Sequence, residues 1–327
     1  MYKEYLIPDR TGRDVADTLT TQQNAAQTAK AFVPGHVTGI FRIFDGYDDP
    51  LRCGSTGAGF SVTIGTVTSV SVVDHPSLEI TTDYNKQRVD AKVTKTVIQR
   101  LTEEYERTLR VHVEHDSSLL SGAGFGASGA GALGTALALG HLLDPEIEYE
   151  NAAEFAHIAE IENHTGLGDV LAQTVGGVEV RVEAGGPGVG KIKNILYLDS
   201  LRAVLAGAPG LKTAEVLTNP ETREQINTIG DHLIERIIAD PTIETFVECS
   251  RAFSDEIGLK TRRVEDALDE LERVGLVDSS MVMLGDSVFC LCEESDSYIA
   301  QRILSKYWES TELSVNKIAP EGGRLLK

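Results

Sequence analysis

The sequence predicts an α/β chain of two domains, and three observations carry that prediction. With 327 residues and 41% hydrophobic composition, the chain is long enough to bury one large core or two of ordinary size. Its first half mixes β-branched runs, such as residues 60–73, with helical spacing, as over 93–104. After Asp199 the composition turns helical, so a boundary is placed near Asp199 or Ser200. The expected division is an extension over residues 1–29, an N-terminal domain over 30–198 and a C-terminal domain over 199–327.

Residues 1–29 are polar, with one short helix expected over 15–29. Residues 31–41 read as an apolar strand broken by Pro34-Gly35 and then resumed. Over 51–73 the reading is strand, turn and strand, with the glycines of 54–59 turning a hairpin. A short strand over 78–83, an amphipathic helix over 93–104, a strand over 108–113 and a polar loop over 114–118 follow. Helical apolar spacing recurs over 150–161 and, briefly, over 170–174. Gly176-Gly177 then enters a strand on which Arg181 lies opposite Val180 and Val182. The glycine-dense segment 185–190 reads as a turn before a strand over 191–198. In the second half, 222–238, 241–257 and 262–274 have helical spacing, and Pro241 suits a helix start. Two strands round a turn over 281–290, a helix over 297–308 and a strand over 313–318 complete the reading.

A formal charge of −20 excludes the basic surface that nucleic-acid binding needs. No apolar run approaches the roughly 20 residues of a membrane span, and the N-terminus lacks a secretory leader. A soluble, cytoplasmic protein is expected. Cys53, Cys249, Cys290 and Cys292 form neither a disulfide ladder nor a zinc pattern, so they read as buried thiols in a reducing compartment.

The chemistry concentrates in Gly122-Ala123-Gly124-Phe125-Gly126-Ala127-Ser128-Gly129, followed at once by the helix-forming run 132–139. Glycines let backbone amides crowd round an anion, and the helix end adds about half a positive charge. The implied ligand is a phosphate. A Walker A loop is excluded, because no lysine lies between Lys95 and Lys191. The dinucleotide pattern fits literally at 124–129, but its strand is separated from the glycines by the polar segment 114–118. A second site lies at Glu160 to Val170, where a carboxylate ends one helix and Asp169 follows a Thr-Gly-x-Gly bend. A kinase without a Walker lysine needs hard oxygen ligands for Mg²⁺ and a carboxylate for the acceptor's proton. Glu160 and Asp169 fit those two roles, with Glu162 competing for the metal.

The loop 122–130 resembles the Gly-x-Gly-x-x-Ser loop of the GHMP kinase superfamily. Val33-Pro34-Gly35-His36-Val37 resembles that superfamily's first motif, and the last glycine loop survives only as residues 283–289, a departure from galactokinase and mevalonate kinase. Residues 31–39, 57–59, 165–170 and 281–285 together resemble the archaeal pantoate kinase family. That resemblance implies a mixed sheet with helices in the N-terminal half and a ferredoxin-like C-terminal half. It implies ATP and Mg²⁺ as cofactors, and phosphorylation of the 4-hydroxyl of (R)-pantoate on the route to coenzyme A. The amides of 122–129 would hold ATP, Ser128 and Glu160 the metal, and Asp169 the acceptor hydroxyl. His36 would border the acceptor. Arg181 is the expected partner of its carboxylate, with Arg42, Arg52 and His36 as the other cations in reach. A homodimer is admitted as the assembly. The competing readings are another small-molecule kinase of the superfamily, acting on mevalonate or homoserine, and a binding protein that keeps the loop without the chemistry.

Overall fold

A computed structural model describes residues 26–210, 218–283 and 286–327. Two sheets organise the chain. The first has the order β12-β1-β2-β5-β3-β4, with β6 and β7 branching from β2. Its strands are β1 (Gln27–Phe44), β2 (Gly54–Asp74), β3 (Glu79–Tyr84), β4 (Gln87–Arg88), β5 (Leu109–Ser117), β6 (Val178–Glu183), β7 (Lys191–Ile195) and β12 (Arg324–Leu326). Only β3 and β5 run parallel, joined through helix α1 (Lys92–Glu104). Helix α2 (Ala127–Leu143) lies on β1 and β2 with α4 (Asp169–Val175) beside it, and α3 (Tyr149–Asn163) packs against α2. Small residues let α2 sit close: a Cβ on Gly134 would come 2.4 Å from the Thr68 hydroxyl.

The second sheet is antiparallel in the order β11-β8-β10-β9, built from β8 (Leu201–Ala208), β9 (Ser279–Met281), β10 (Asp286–Glu293) and β11 (Leu313–Lys317). Helices α5 (Pro220–Ala239), α6 (Ile243–Ile257) and α7 (Arg262–Arg273) fall between β8 and β9, and α8 (Ser297–Leu304) between β10 and β11. This is the ferredoxin-like arrangement of the expected fold. Residues 318–326 leave it and return to the first sheet, where Lys30 pairs with Leu326.

Several expected elements are different in the structure. Of the helix expected over 15–29, residues 15–25 lie outside the described residues, and 27–29 already belong to β1. The hairpin over 51–73 is a single 21-residue strand, β2, paired with β1 from Gly54 to Val72. Its glycines serve close approach rather than turning. A Cβ on Gly57 would lie 2.3 Å from the Ile40 carbonyl, and one on Gly59 would lie 2.4 Å from that of Val37. The polar segment 114–117 is part of β5, pairing with 66–69. Its buried His115 meets the hydroxyls of Thr68 at 2.9 Å and Thr94 at 3.0 Å, so hydrogen bonds rather than apolar contact hold it inside. Pro241 precedes the Thr242 cap of α6 rather than opening the helix, and α8 ends at Leu304. All four cysteines are buried and free. Among the described residues no helix is long and apolar enough to cross a membrane.

The two sheets share one core. At the junction Phe289 of β10 packs edge-on to Phe60 of β2 at 5.3 Å and stacks on Phe246 of α6 at 5.9 Å. Offset and edge-to-face rings add to the area they bury. Phe289→Ala should therefore cost about 3–5 kcal/mol of stability, read as a shift in the urea midpoint. An effect below about 1 kcal/mol would show that this aromatic junction does not hold the sheets together.

Candidate active site

The site is assembled from β1, β6, the end of α3 and the starts of α2 and α4. Gly122, Gly124 and Gly126 all adopt left-handed backbone, at φ of 78°, 81° and 69°, a region other residues enter only with strain. Gly126 caps α2. The His36 amide donates to Phe125 O at 3.1 Å. The Gln173 side chain of α4 donates to both Gly126 O and Pro34 O, at 3.0 and 2.9 Å. The glycine loop is thus pinned to the Pro-Gly-His segment of β1 and to α4. The first amides of a helix have no partner within it, and at α2 these belong to Ala127, Ser128 and Gly129. A cleft of about 1130 Å³ runs past this helix end, lined by Gly122, Gly124, Gly126, Ala127, Ser128 and, from α1, Lys92.

Glu160 is buried on α3, where its Oε1 accepts from the Ser128 hydroxyl and its Oε2 has no partner. Burial pushes its carboxyl up to about 7, the charge of Asp169 acts in the same direction, and hydrogen bonds from Ser128 and Thr165 oppose it. After α3 the left-handed His164 starts the bend that leads to Asp169. The bend needs its glycines: a Cβ on Gly166 would meet Glu160 Oε2 at 2.4 Å, and one on Gly168 would meet the Ser55 hydroxyl at 2.4 Å and Arg181 Nε at 2.8 Å.

Asp169 is the first residue of α4, and its half-buried carboxylate accepts from His36 Nδ1 at 2.9 Å. The opposite nitrogen of that ring, Nε2, donates to Glu179 Oε1 at 3.2 Å. Burial opposes a charge on His36, but the Glu179 charge and hydrogen bonds to both carboxylates outweigh it and raise its pKa above the ordinary histidine value. Glu179 Oε1 also accepts from Arg181 Nη1. Arg181 is fully buried, and its Nε has no partner. Asp169 and Arg181 line a smaller compartment of about 530 Å³ with Thr38, Phe41, Ser55 and Met283. Gly124, Thr165 and Asp169 line both spaces, so Asp169 stands where they meet.

The structure therefore brings Ser128, Glu160, Asp169, His36 and Arg181 to one place. Glu162 is elsewhere, ion-paired with Arg100 on the surface. Arg42 pairs with Asp231, and Arg52 lies over the Tyr47 ring at 4.5 Å; neither lines the small compartment. The sequence reading missed Glu179 and Gln173. The alternation that sets Arg181 apart from Val180 and Val182 also puts Glu179 on the face of Arg181, a signal that was present. Nothing local marks Gln173, whose partners are distant in sequence.

Known proteins share this arrangement of segments. The pattern of the GHMP kinases N terminal domain matches residues 92–177. The pantoate kinase of Thermococcus kodakarensis is 33% identical over 282 residues, covering 84% of this chain and 91% of the relative. The chain belongs to the pantoate kinase family of GHMP kinases. A second pantoate kinase, from Methanocaldococcus jannaschii, is 31% identical over 277 residues, 84% of this chain and 96% of that one. A solved structure described as a phosphotransferase related to the CoA biosynthesis pathway superposes with a TM-score of 0.82 at 29% identity, covering 92% of this chain and 99% of that one. Membership of the pantoate kinase family makes the chain a small-molecule kinase.

Glu160 gives this kinase a measurable pH dependence. Its carboxyl holds a proton more tightly folded than unfolded, because its pKa rises from 4.5 to about 7. That contribution to stability is complete below pH 4.5 and is lost as pH rises through about 7. Each tenfold gain in proton affinity is worth about 1.36 kcal/mol. In the absence of divalent cations, urea titrations should therefore show wild type losing roughly 3 kcal/mol relative to Glu160→Gln across this window. Parallel pH profiles for the two proteins would mean that Glu160 is not a buried, uncompensated acid.

Proposed function

We propose that this chain transfers the terminal phosphoryl group of ATP to the 4-hydroxyl of (R)-pantoate, giving 4-phosphopantoate for coenzyme A synthesis. The observation that carries this reading is the position of Asp169 at the opening between the loop-lined cleft and the smaller compartment that holds Arg181. A phosphoryl donor and an acceptor alcohol held in the two spaces would meet beside one carboxylate. Kinship with enzymes named pantoate kinase supplies the substrate.

The loop amides and the α2 N-terminus bind the phosphates, which is how a protein of charge −20 accepts a polyanion. The donor set fits Mg²⁺: Ser128, which lines the cleft, and Glu160, whose Oε1 accepts from the Ser128 hydroxyl and whose Oε2 has no partner, supply hard oxygens. Among the described residues no three His, Cys, Asp or Glu side chains converge as a metal cage, as suits an ion that keeps phosphate and water oxygens in its shell. When bound, Mg²⁺ neutralises charge developing on the transferred phosphoryl group. Asp169 takes the proton from the 4-hydroxyl, and His36 holds that carboxylate in place. Arg181 meets the acceptor carboxylate, its guanidinium already oriented by Glu179. Four buried free thiols and the acidic surface support a cytoplasmic enzyme with small-molecule partners and no nucleic acid.

ADP release measured with pantoate, mevalonate and homoserine as acceptors tests the reading, and turnover restricted to mevalonate or homoserine would overturn it. Asp169→Asn should lower kcat by about 10²-fold or more with ATP binding retained, as for a lost general base. Normal turnover in that variant would remove Asp169 from the chemistry. Arg181→Lys keeps the charge and loses the fork, so its KM for pantoate should rise well beyond any change for ATP. A KM for pantoate within about twofold of wild type, less than a lost charged hydrogen bond costs, would place the carboxylate elsewhere.

A further inference from the structure

The smaller compartment is divided by chemistry. Arg181, Ser55, Thr38 and Thr165 supply its polar lining, and Asp169 marks its mouth, while Phe41, Leu167 and Met283 supply apolar side chains. These three come from separate parts of the fold: β1, the bend before α4, and the connection between β9 and β10 in the second sheet. Each is fixed in place. The Phe41 ring leans on Phe253 at 6.0 Å. The Met283 amide donates to Thr38 O at 3.2 Å, and its carbonyl stands 2.8 Å from where a Cβ on Gly124 would be. Leu167 sits between Gly166 and Gly168, whose neighbours leave no room for a side chain at either position. Apolar side chains and polar groups therefore line one compartment together with Asp169.

From this arrangement, and resting on the function proposed above, we infer that Phe41, Leu167 and Met283 form the specificity wall that receives the two methyl groups on C3 of the acceptor. In pantoate the carbon next to the reacting hydroxymethyl is quaternary and carries those methyls. They offer no hydrogen bond, so only contact and displaced water can recognise them. The wall lines the same compartment as Asp169, where the hydroxymethyl would be held. Arg181 and Asp169 would accept any 4-hydroxy acid of this length, and the wall would reject the one without methyls. A missing methylene in an apolar pocket lowers kcat/KM by about 10- to 200-fold, so two methyls place the expected preference at about 10²-fold or more.

The test compares (R)-pantoate with (R)-2,4-dihydroxybutanoate, the same acid without the methyls, by ADP release in wild type, Leu167→Ala and Met283→Ala. Wild type is expected to prefer pantoate in kcat/KM by about 10²-fold or more, and each variant to bring that ratio within about tenfold. Melting temperatures of the variants, and KM for ATP near that of wild type, separate lost recognition from lost folding. A wild type that uses both acids equally, or folded variants that keep the full preference, would overturn the inference while leaving pantoate phosphorylation standing. No turnover of pantoate by wild type would instead remove the functional proposal and this inference with it.

Discussion

The ring of His36, held between the carboxylates of Asp169 and Glu179, is the contact on which the rest of the site depends. It joins β1 to α4 on one side and to β6 on the other, and Glu179 passes the connection on to the buried Arg181. Charges this far from water persist only when each has partners, and removing one member leaves its neighbours uncompensated. Space for the chain of charges comes from glycines. A Cβ on Gly59 would lie 2.7 Å from His36 Nε2, one on Gly57 2.8 Å from Arg181 Nη2 and one on Gly168 2.8 Å from Arg181 Nε. Glycines in separate segments, which look unrelated along the chain, thus answer to one requirement.

This explains which parts were legible from sequence. The helices α1, α3, α5 and α7 are marked by local spacing, and their expected spans lie within a few residues of the observed ones. The loop from Gly122 and the bend before Asp169 were legible because each packs its signals into a few consecutive residues. Gly54 to Gly59 was misread because a glycine that turns the chain and one that admits a neighbouring backbone look the same until the neighbour is known. The end of β5 was misread because its inward side chains, His115 and Ser117, are polar and satisfied by Thr68, Thr94 and Thr66 on other elements. Glu179 was overlooked for a related reason, since a buried carboxylate on a strand makes sense only once His36 and Arg181 are beside it.

The two sheets divide the work unevenly. The first carries His36, Glu179 and Arg181, while the second supplies Met283 to the smaller compartment and Phe289 to the junction of the sheets. Met283 also bonds to Thr38 of β1. The shape of the smaller compartment is therefore set partly by residues nowhere near the charged chain in sequence.

The return of residues 318–326 to the first sheet has a consequence for how the molecule is made. The Gly177 amide, just ahead of Glu179, donates to Ala319 O, and the Gly323 amide donates to Gln173 O beside the glycine loop. Translation delivers β1, α2 and α4 long before the segment that ties them together. Until residue 326 has left the ribosome, β1 has an open edge and α4 lacks its last anchor, so the nascent chain holds its glycine loop and Asp169 without the contacts that tie them to the C-terminal segment. Pairing over so long a separation is slow to form, and a competent site becomes available only after synthesis has passed through the entire second sheet.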